Sequence, residues 1–565
     1  MEQKWVLLDE RAPEETEHFA KTLNMSKIIA RILLNRGIDT PEKAKHFFRV
    51  SLDQLHDPFL MRDMEAAVNR IQTALQKKEK ILVYGDYDVD GITSVSMIML
   101  AFKELGYPVE FYIPDRLREG YGLSKTGVKL ASEKNVSLII SVDCGITAID
   151  EIDLANSLGM DVIVCDHHEP GAELPKAIAI LDPKLPDCEY PFKELAGVGV
   201  AYKLLQGLFQ RCNGDEEKLQ NFVELVAIGS AADIVPLVDE NRIFVKVGLQ
   251  RLNQSNNIGL LALLEATGLK NKTIGTGQVV FIIAPRINAV GRLGNAERAV
   301  RLLTTRNQQR AKNIAAILEQ ENRQRKNIDE ETFKEALQMI EQHCEPSKER
   351  SIVLASEGWH PGVIGIVASR IVEKFYRPTI MISTNDGIGK GSARSIPGFD
   401  LFQAMRECSD LMLGFGGHKY AAGLTIETDK LEELKQRFEN IAQEWLDDET
   451  LTPKLRIDSD IRLGQIDGEL LKILQMFAPY GPQNMRPVFM SKNLQIHGTP
   501  TIVGNNHLKF KVGQDGFVYD AIGFNLGDLY YRLAPYEQNL DIAFIIEKNE
   551  WQGREMIQLR VKDLR

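Results

Sequence analysis

Acidic residues and histidines directly follow three short apolar segments of the sequence. The segment ILVY precedes Asp86, Asp88 and Asp90, the segment LIISV precedes Asp143, and the segment VIVC precedes Asp166–His168. Carboxylates held close together repel one another unless a cation neutralises them. Carboxylates with one or two imidazoles and no thiolate suit Mg²⁺ or Mn²⁺, and the imidazole favours manganese. Two such ions, about 3.5–4 Å apart, can activate water and stabilise the leaving oxygen in phosphodiester cleavage.

A fourth acid, Asp233, lies in the segment AIGSAADIVPL, just before a proline that would end the preceding helix. An acidic loop after a strand is more often a turn or a helix cap, and two adjacent histidines alone indicate little. Acids after three apolar segments, one of them followed by His167 and His168, form a much more specific pattern. This pattern favours a metal site over a purely structural interpretation.

Five apolar runs between residues 80 and 185 alternate with helical stretches. The runs are KILVYGD, PVEFYIP, SLIISVDCG, DVIVCDHH and AIAILDP. Continuous Val, Ile and Leu runs separated by helices predict a parallel sheet covered on both faces. Ligands of such sheets bind at the carboxyl ends of the strands. Residues more than fifty positions apart, such as Asp88 and Asp143, are therefore expected to meet at one edge of the sheet.

Downstream of this sheet the sequence predicts a long helix, a second α/β unit and a barrel. Residues 295–345 contain neither Gly nor Pro and carry apolar residues in helical register, which predicts a connecting helix, with at most one break, between two lobes. A second α/β unit is expected from about 350 to 445. From about 453, five strand-like segments with alternating apolar residues predict a half-exposed antiparallel sheet that closes into a small barrel.

The predicted fold class is α/β, and the chain is expected to divide into five parts. These are an N-terminal helical lead-in (1–60), a parallel-sheet domain (61–294), a connecting helix (295–345), a second α/β domain (346–450) and a C-terminal barrel (451–565). A chain of 565 residues exceeds what one hydrophobic core usually organises, so several domains are expected.

The composition argues against several classes of protein. With a net charge of −11, nonspecific coating of nucleic acid is not expected, so basic residues that bind it must be concentrated in a groove. The six cysteines include no CxxC pair, which argues against a zinc ribbon and against a disulfide framework. No run approaches the roughly 18 apolar residues of a membrane span, and the start lacks the features of a signal peptide. We therefore expect a cytoplasmic protein without a membrane partner.

The motifs resemble those of a known superfamily. The set DYDVDGITS, SVDCG, DHH and GSAADIVPL resembles, in order and spacing, the four motifs of the DHH phosphoesterase superfamily. The segments APRINAVGRLG, SEGWHPGVIGIVASR, GKGSARS and GFGGHKYAAG resemble the RecJ branch with its DHH-associated lobe. The tail from YGPQNMRPVF onward is similar to the oligonucleotide-binding (OB) barrel of that branch. The resemblance covers nearly the whole chain.

This resemblance implies both a fold and an activity. It implies a parallel-sheet DHH domain and an α/β DHH-associated domain, joined by a long helix and followed by an OB-like barrel. The implied activity is a metal-dependent 5′→3′ exonuclease, specific for single-stranded DNA, that releases mononucleotides in DNA repair and recombination. Single-stranded DNA is the implied partner, and a single-strand-binding protein or a helicase is a candidate protein partner.

The resemblance also assigns roles to the acids and histidines. Asp88 and Asp90 match the DxD metal ligands, Asp143 the metal-bridging aspartate, and His167 and Asp233 ligands of the second ion. Asp86 has an equivalent in RecJ-type proteins and is a further candidate ligand. Asp166 is expected to orient His167 from behind, and His168 to face the scissile phosphate. The catalytic set is therefore Asp88, Asp90, Asp143, His167, His168 and Asp233.

One position departs from the wider superfamily. A histidine often lies four residues before the first aspartate of DxD, and here that position is Tyr84. One ion would then be bound more weakly, or would be completed by Asp86 or by water.

Candidate DNA contacts lie in segments that combine Arg or Ser with glycine. An Arg near glycine is, taken alone, more often part of a surface turn, but the match to RecJ-type motifs favours DNA contact. The candidates are Arg116, Tyr121, Arg286, Asn288, Arg292, His360, Ser392, Arg394, Gly417 and His418. For His360, a capping role and a stacking role beside Trp359 both remain open.

Together, these residues suggest how the strand end is selected. Arg286, Ser392 and Arg394, facing Arg116 and Tyr121, are expected to form a blocked pocket for a terminal phosphate. The resemblance implies that this is the 5′ end. A cleft between two lobes should be too narrow for a duplex of roughly 20 Å diameter, so only unpaired strand should enter.

Two other functions compete with the exonuclease hypothesis. A DHH-type phosphoesterase of short oligonucleotides or cyclic dinucleotides would need neither the long helix nor the barrel. A binding protein with a decayed active site is disfavoured because the acids and His167 are intact.

Overall fold

The computed structural model describes residues 3–8, 12–116, 118–212, 214, 216–293, 295–344, 348–533, 538–551 and 554–565. The chain forms two compact units. The smaller unit comprises Met1–Val6 and Gln320–Leu455, and the larger unit comprises Leu7–Glu319 and Arg456–Arg565. Residues 294 and 346, where two of the predicted domain boundaries fall, lie outside the described residues.

The N-terminal part is mainly helical. Its elements are β1 (Lys4–Leu7), α1 (Pro13–Leu23), α2 (Lys27–Leu34) and α3 (Pro41–Phe48). Helix α2 begins where the Ser26 hydroxyl accepts a hydrogen bond from the backbone N–H of Ile29. Helix α3 begins in the same way at Thr40, and its first turn contains Pro41, as the sequence predicts.

A five-stranded parallel sheet follows. The elements are α4 (Met64–Lys77), β2 (Ile81–Gly85), α5 (Val89–Glu104), β3 (Glu110–Tyr112), α6 (Lys125–Glu133), β4 (Leu138–Val142), α7 (Ile149–Ser157), β5 (Asp161–Cys165), β6 (Ala179–Leu181) and α8 (Gly197–Arg211). The strand order is β3-β2-β4-β5-β6, and all neighbours are parallel. Each predicted apolar run supplies one strand. Every residue of β2 and β4 is buried, which agrees with a sheet covered on both faces.

Helices complete the sequence up to the second sheet. They are α9 (Glu216–Gln220), α10 (Val223–Ala232), α11 (Asp239–Leu252), α12 (Ile258–Ala266), α13 (Thr276–Gln278), a π-helical turn (Val279–Ile283), α14 (Ala284–Leu293), α15 (Glu297–Thr304) and α16 (Gln308–His343). The predicted connecting helix corresponds to α15 and α16, with one break at 305–307. Thr305 is extended there, with ψ at 144°, so the helical hydrogen bonds end. No described helix is both long and apolar enough to cross a membrane.

The smaller unit contains the second α/β sheet. Its elements are β7 (Ile352–Ser356), α17 (Ile364–Phe375), β8 (Thr379–Asn385), β9 (Ile388–Arg394), α18 (Leu401–Glu407), β10 (Met412–His418), β11 (Ala421–Glu427) and α19 (Leu431–Trp445). The strand order is β10-β11-β9-β8-β7. Strands β7 and β8 are parallel, and the other neighbours are antiparallel.

The C-terminal part is a closed barrel. Its elements are β12 (Lys454–Ile457), β13 (Ser459–Asp460), α20 (Gly468–Met476), β14 (Phe489–Ile496), β15 (Thr501–Val503), β16 (His507–Gln514), β17 (Phe517–Gly523), β18 (Gln538–Trp551) and β19 (Arg554–Leu564). The ring runs β14-β18-β19-β17-β16, and β16 pairs back with β14. These are the five predicted strands. The pair β17–β19 is parallel, which alternation of apolar residues could not reveal because it fixes a strand's faces but not its neighbour's direction.

The N-terminal helices and the barrel share one hydrophobic core. Phe19, Ile29 and Leu33 pack in the same cluster as Leu494 of β14 and Ile542 of β18. The predicted lead-in is therefore a part of the barrel's core rather than an isolated appendage.

Candidate metal centre

The turn after β2 places two acids at the carboxyl edge of the parallel sheet. Asp88 caps helix α5, because its Oδ1 accepts hydrogen bonds from the N–H groups of Asp90 (2.9 Å) and Gly91 (3.1 Å). Gly91 is required here, since a Cβ would lie 2.5 Å from the carbonyl oxygen of Asp86. The N–H of Val89 donates to Oδ1 of Asn288 at 3.1 Å, so α14 also holds this turn.

Asp86 is the most isolated of the acids. Its side chain is fully buried, and the backbone N–H groups of Tyr87 and Gly122 are the groups that stabilise its charge most directly. Burial, followed by the charge of Asp88, raises the pKa of Asp86 well above its ordinary value. Because burial and the neighbouring charge still outweigh these contacts, the Asp86 carboxylate is costly to ionise unless a cation compensates it, so this position fits a bound metal ion.

His167 lies among three carboxylates. Its Nε2 is 3.1 Å from Oδ1 of Asp143, 3.7 Å from Oδ2 of Asp233 and 3.9 Å from Oδ2 of Asp90. Asp143 follows β4 and has a left-handed backbone, with φ at 59°, a conformation that Asp and Asn adopt more readily than most residues. The residues that follow β4 and α10 and the first turn of α5 thus meet at the imidazole that follows β5.

The first turn of α8 holds Asp90. The N–H groups of Gly197 and Val198 donate to the two oxygens of Asp90 at 2.7 and 2.9 Å. A Cβ on Gly197 would lie 2.8 Å from Oδ1 of Asp143, so only glycine permits this approach. Sequence reasoning missed Gly197 and Val198. The signal was the run of small residues AGVGVA, which forms the start of helix α8.

The ionisation of the cluster matches that of a metal site. Burial, and then the neighbouring acids, raises the pKa of both Asp143 and Asp233, and the pKa of Asp90 is raised to about 7. Burial, and then the charge of His168, lowers the pKa of His167 to about 3, so its imidazole is neutral and can donate a lone pair.

Two groups of side chains could each hold an ion. Asp90, His167 and Asp233 form one group, and Asp143, His167 and His168 the other, with the ligand atoms of each within 4.8 Å of one another. Neutral imidazole and carboxylate oxygens are a donor set that suits Mn²⁺ or Mg²⁺.

Asp166 holds the second histidine of the pair. Its Oδ1 is 2.6 Å from Nδ1 of His168, whereas it contacts His167 through the backbone N–H at 2.8 Å. The sequence-based expectation was that Asp166 orients His167, but the ring it contacts is that of His168. Burial alone would lower the pKa of His168, but the hydrogen bond that its ring donates to Asp166, with the charges of the nearby acids, outweighs burial and raises that pKa to about 9. On the other side of the ring, Nε2 of His168 is 3.0 Å from the hydroxyl of Tyr121.

Tyr84 supports the segment that carries Tyr121. Its hydroxyl accepts a hydrogen bond from the N–H of Ser124 at 3.0 Å and lies 3.3 Å from the carbonyl oxygen of Gly122. The side chain is fully buried. Where the wider superfamily often has a histidine, this chain therefore has a tyrosine whose hydroxyl is engaged by the loop before α6.

The candidate DNA-binding side chains of the larger unit differ in their exposure and in the contacts that they already make. The guanidinium carbon of Arg116 lies 5.1 Å from the centre of the Tyr87 ring, and Tyr121 is 52% exposed. Arg286 is buried, and its Nε donates to Oε2 of Glu319 at 2.8 Å. Asn288 caps the DxD turn as described, and Arg292 lies partly buried in α14.

In the smaller unit, Ser392 and Arg394 lie together on β9. Arg394 donates from one guanidinium nitrogen to the Ser392 hydroxyl at 3.1 Å. A Cβ on Gly365, in the first turn of α17, would lie 2.7 Å from that hydroxyl. The pair thus faces the N-terminus of a helix, where backbone N–H groups favour anions.

The remaining candidates of the smaller unit lie on β10 and before α17. Gly417, with φ at 142°, and the exposed His418 are at the end of β10. His360 accepts a hydrogen bond at Nδ1 from the N–H of Gly362 at 3.0 Å, which favours the capping alternative. Trp359 is buried, and its Nε1 donates to Glu335 at 2.9 Å.

Comparisons with known proteins identify the family. Three family models match the chain: the N-terminal domain of the DHH family over residues 80–230, the DHHA1 domain over 349–444 and the RecJ OB domain over 457–563. The single-stranded-DNA-specific exonuclease RecJ of Bacillus subtilis strain 168 is 40% identical over 553 residues, which are 97% of this chain and 69% of that protein. This chain belongs to the RecJ family.

Further RecJ relatives agree. The RecJ of Escherichia coli strain K12 is 33% identical over 558 residues, covering 95% of each chain. The crystal structure of RecJ from Thermus thermophilus in complex with Mn²⁺ matches with a TM-score of 0.86 at 29% identity, covering 100% of this chain and 79% of that one. The predicted family and fold class are therefore confirmed.

Proposed function

We propose that this RecJ-family chain is a single-stranded-DNA-specific exonuclease that hydrolyses phosphodiester bonds with two divalent ions. The observation that carries the proposal is the cluster in which Nε2 of His167 lies within 3.9 Å of carboxylate oxygens of Asp90, Asp143 and Asp233. RecJ relatives that are named single-stranded-DNA-specific exonucleases support it. The Thermus thermophilus RecJ crystallised with Mn²⁺ and with Mg²⁺, and the imidazole ligand favours manganese.

The residues divide into ligands and substrate contacts. Asp90, His167 and Asp233 would hold one ion, Asp143 would bridge both, and Asp86 and Asp88 complete the site. Bound there, the ions supply a nucleophilic water at neutral pH and stabilise the leaving oxygen. His168, whose Nδ1 is held by Asp166, would face the scissile phosphate and donate a hydrogen bond to it from Nε2, which would exchange its contact with the Tyr121 hydroxyl for one with the phosphate.

We further propose that hydrolysis proceeds 5′→3′ and releases mononucleotides. Ser392, Arg394 and His418 bind phosphate of the strand end, supported by the helix N-terminus beside Ser392. Arg116, Tyr121 and Arg292 are strand contacts of the larger unit. Arg286 can contact DNA only if it gives up its ion pair with Glu319.

The cellular setting is also part of the proposal. The enzyme acts in the cytoplasm, in DNA repair and recombination, with a single-strand-binding protein or a helicase supplying unpaired strand. A five-stranded OB barrel favours this long-substrate function over a phosphoesterase of dinucleotides.

Replacing Asp143 by Asn tests the metal site. Asn keeps the size of the side chain and tolerates the left-handed backbone at φ 59°, so the fold should be retained. We expect Asp143→Asn to abolish hydrolysis of a single-stranded oligonucleotide while retaining DNA binding in chelator, because the bridging carboxylate positions both ions. The matched control is Asp150→Asn, whose side chain is 75% exposed and pairs with Lys125, and it should retain full activity. Activity of Asp143→Asn within about tenfold of wild type contradicts the proposal.

A further inference from the structure

The residue after Asp233 has an unusual backbone. Ile234 has φ at 61°, in the left-handed region that β-branched residues strongly disfavour. Its side chain is 62% exposed, so packing of that side chain does not compensate for the strain. The strained conformation persists only if the chain is fixed on both sides of Ile234.

Hydrogen bonds fix the chain on either side of Ile234. Before it, the N–H of Asp233 donates to the carbonyl of Gly229 in α10 at 2.9 Å. After it, the carbonyl of Pro236 accepts a hydrogen bond from the Asn241 amide at 3.1 Å. The N–H of Leu237 then donates to the carbonyl of Pro482 at 2.9 Å, and the Leu237 side chain is buried.

Pro482 belongs to a rigid turn between α20 and β14, Gly481–Asn484, which we call the docking turn. Backbone hydrogen bonds join Gly481 and Asn484 in both directions, at 2.9 and 3.1 Å. The buried Asn484 amide donates to the carbonyls of Phe477 (2.9 Å) and Pro479 (2.8 Å). The motif YGPQN, which resembles the RecJ branch, thus forms a structure that is internally fixed.

Arg242 of α11 binds the segment just before the docking turn, so the two segments are joined a second time. Its guanidinium donates to the carbonyl of Phe477 at 2.8 Å and to that of Phe47 at 3.2 Å, and it stacks 3.8 Å from the Phe47 ring centre. Helix α11 begins at Asp239, directly after the strained segment. The segment from Asp233 to Leu237 therefore lies between helices that are both anchored.

The contact between Leu237 and the docking turn is tight. A Cβ on Gly481 would lie 2.6 Å from Cδ1 and 2.9 Å from Cγ of Leu237. We propose that the docking turn is a positioning element for Asp233: by holding Leu237, it imposes the left-handed turn at Ile234 that directs the Asp233 carboxylate toward His167. This inference rests on the proposed function, in which Asp233 is a metal ligand.

Titration of the intact, metal-free chain with Mn²⁺ tests this proposal without any measurement of hydrolysis. Gly481→Ala should weaken Mn²⁺ binding about tenfold, as loss of supporting contacts to metal ligands typically does, while DNA binding in chelator stays at the wild-type level. Gly464→Ala is the matched control, because its Cβ would meet the Phe517 ring at 2.9 Å elsewhere in the barrel. Wild-type Mn²⁺ affinity is expected for Gly464→Ala.

A second substitution distinguishes positioning from general damage. Leu237→Ala removes the atoms that the new Cβ would meet, so Gly481→Ala/Leu237→Ala should bind Mn²⁺ as Leu237→Ala alone does. Weaker binding by the double variant, or wild-type affinity in folded Gly481→Ala protein, overturns the proposal. If Gly481→Ala does not fold, Leu237→Ala decides: weaker Mn²⁺ binding than wild type supports the proposal, and unchanged binding overturns it.

Asp233→Asn separates this inference from the proposed function. Unchanged Mn²⁺ affinity in Asp233→Asn means that Asp233 is not a ligand and overturns both. Weaker affinity in Asp233→Asn together with wild-type affinity in Gly481→Ala overturns only the positioning role of the docking turn.

Discussion

Individual carboxylates of the cluster are held in conditions that disfavour their charge. Burial, with the repulsion of neighbouring acids, raises the pKa of Asp86, Asp143 and Asp233, and raises that of Asp90 to about 7. In unfolded protein these groups would titrate near pH 3.9. The folded, metal-free protein therefore binds more protons than the unfolded chain at intermediate pH, and its stability falls as pH rises through the folded-state pKa values.

This linkage predicts a pH-dependent effect of one substitution. Between pH 5 and pH 8 the melting temperature of metal-free wild type should fall more steeply than that of Asp143→Asn. The variant lacks one acid with a raised pKa and no longer repels the neighbouring carboxylates. Saturating Mn²⁺ should make the melting temperature of wild type depend less on pH, because the bound ions replace the protons that the acids bind in metal-free protein. Scanning calorimetry in chelator and in Mn²⁺ measures both. A melting-temperature difference between the two proteins that is the same at every pH would argue against a repulsive cluster.

At the level of elements, helix α8 connects the cluster to the rest of the larger unit. Its first turn binds Asp90, and further along it Lys203 forms an ion pair with Glu240 of α11 at 2.8 Å, with both side chains fully buried. The hydroxyl of Tyr190 and the N–H of His56 also donate to Glu240. Removing one partner of a buried ion pair leaves a buried charge uncompensated.

Lys203→Met should therefore reduce the free energy of unfolding by about 3–5 kcal/mol. The exposed pair Lys125–Asp150 provides the control, because Lys125→Met should change stability by no more than about 1 kcal/mol. Denaturant unfolding of the two variants provides the comparison. Equal, small effects of both substitutions would show that the Lys203–Glu240 pair does not stabilise the packing of α8 on α11.

Elements were predictable from the sequence where the period of apolar residues was clear. The five parallel strands and the convergence of Asp143 and His167 followed from the runs alone, since parallel strands end at one edge. Contacts that depend on three-dimensional packing were not predictable. Neither the hydrogen bond between Asp166 and the His168 ring nor the pairing of Arg286 with Glu319 leaves a periodic signal.

In the molecule as a whole, the distant ends of the sequence form one core. Helix α2 buries Leu33 completely among barrel residues such as Leu494 and Phe544, more than four hundred positions away. The sequence shows α2 as an amphipathic helix but does not show which partner covers its apolar face.

Truncating the Leu33 side chain should destabilise the barrel more than the parallel sheet. Leu33→Ala is expected to cost about 2–5 kcal/mol and to raise amide hydrogen exchange in β14 and β18 more than in β2 and β4 of the parallel sheet. Leu60→Ala, at a position where Leu60 is 42% exposed, is the control and should leave exchange unchanged. Unchanged exchange in β14 and β18 of Leu33→Ala would contradict a shared core.

Digestion of end-labelled DNA tests whether this chain is a metal-dependent exonuclease that enters single-stranded DNA from its 5′ end. A single strand labelled at the 5′ or the 3′ end, and the corresponding blunt duplex, are incubated with the intact chain in Mn²⁺ or in chelator. In Mn²⁺ the 5′ label of the single strand should appear first as mononucleotide, the duplex should persist, and chelator should stop the reaction. Early release of the 3′ label as mononucleotide, duplex degradation as fast as that of single strand, or undiminished activity in chelator would contradict it.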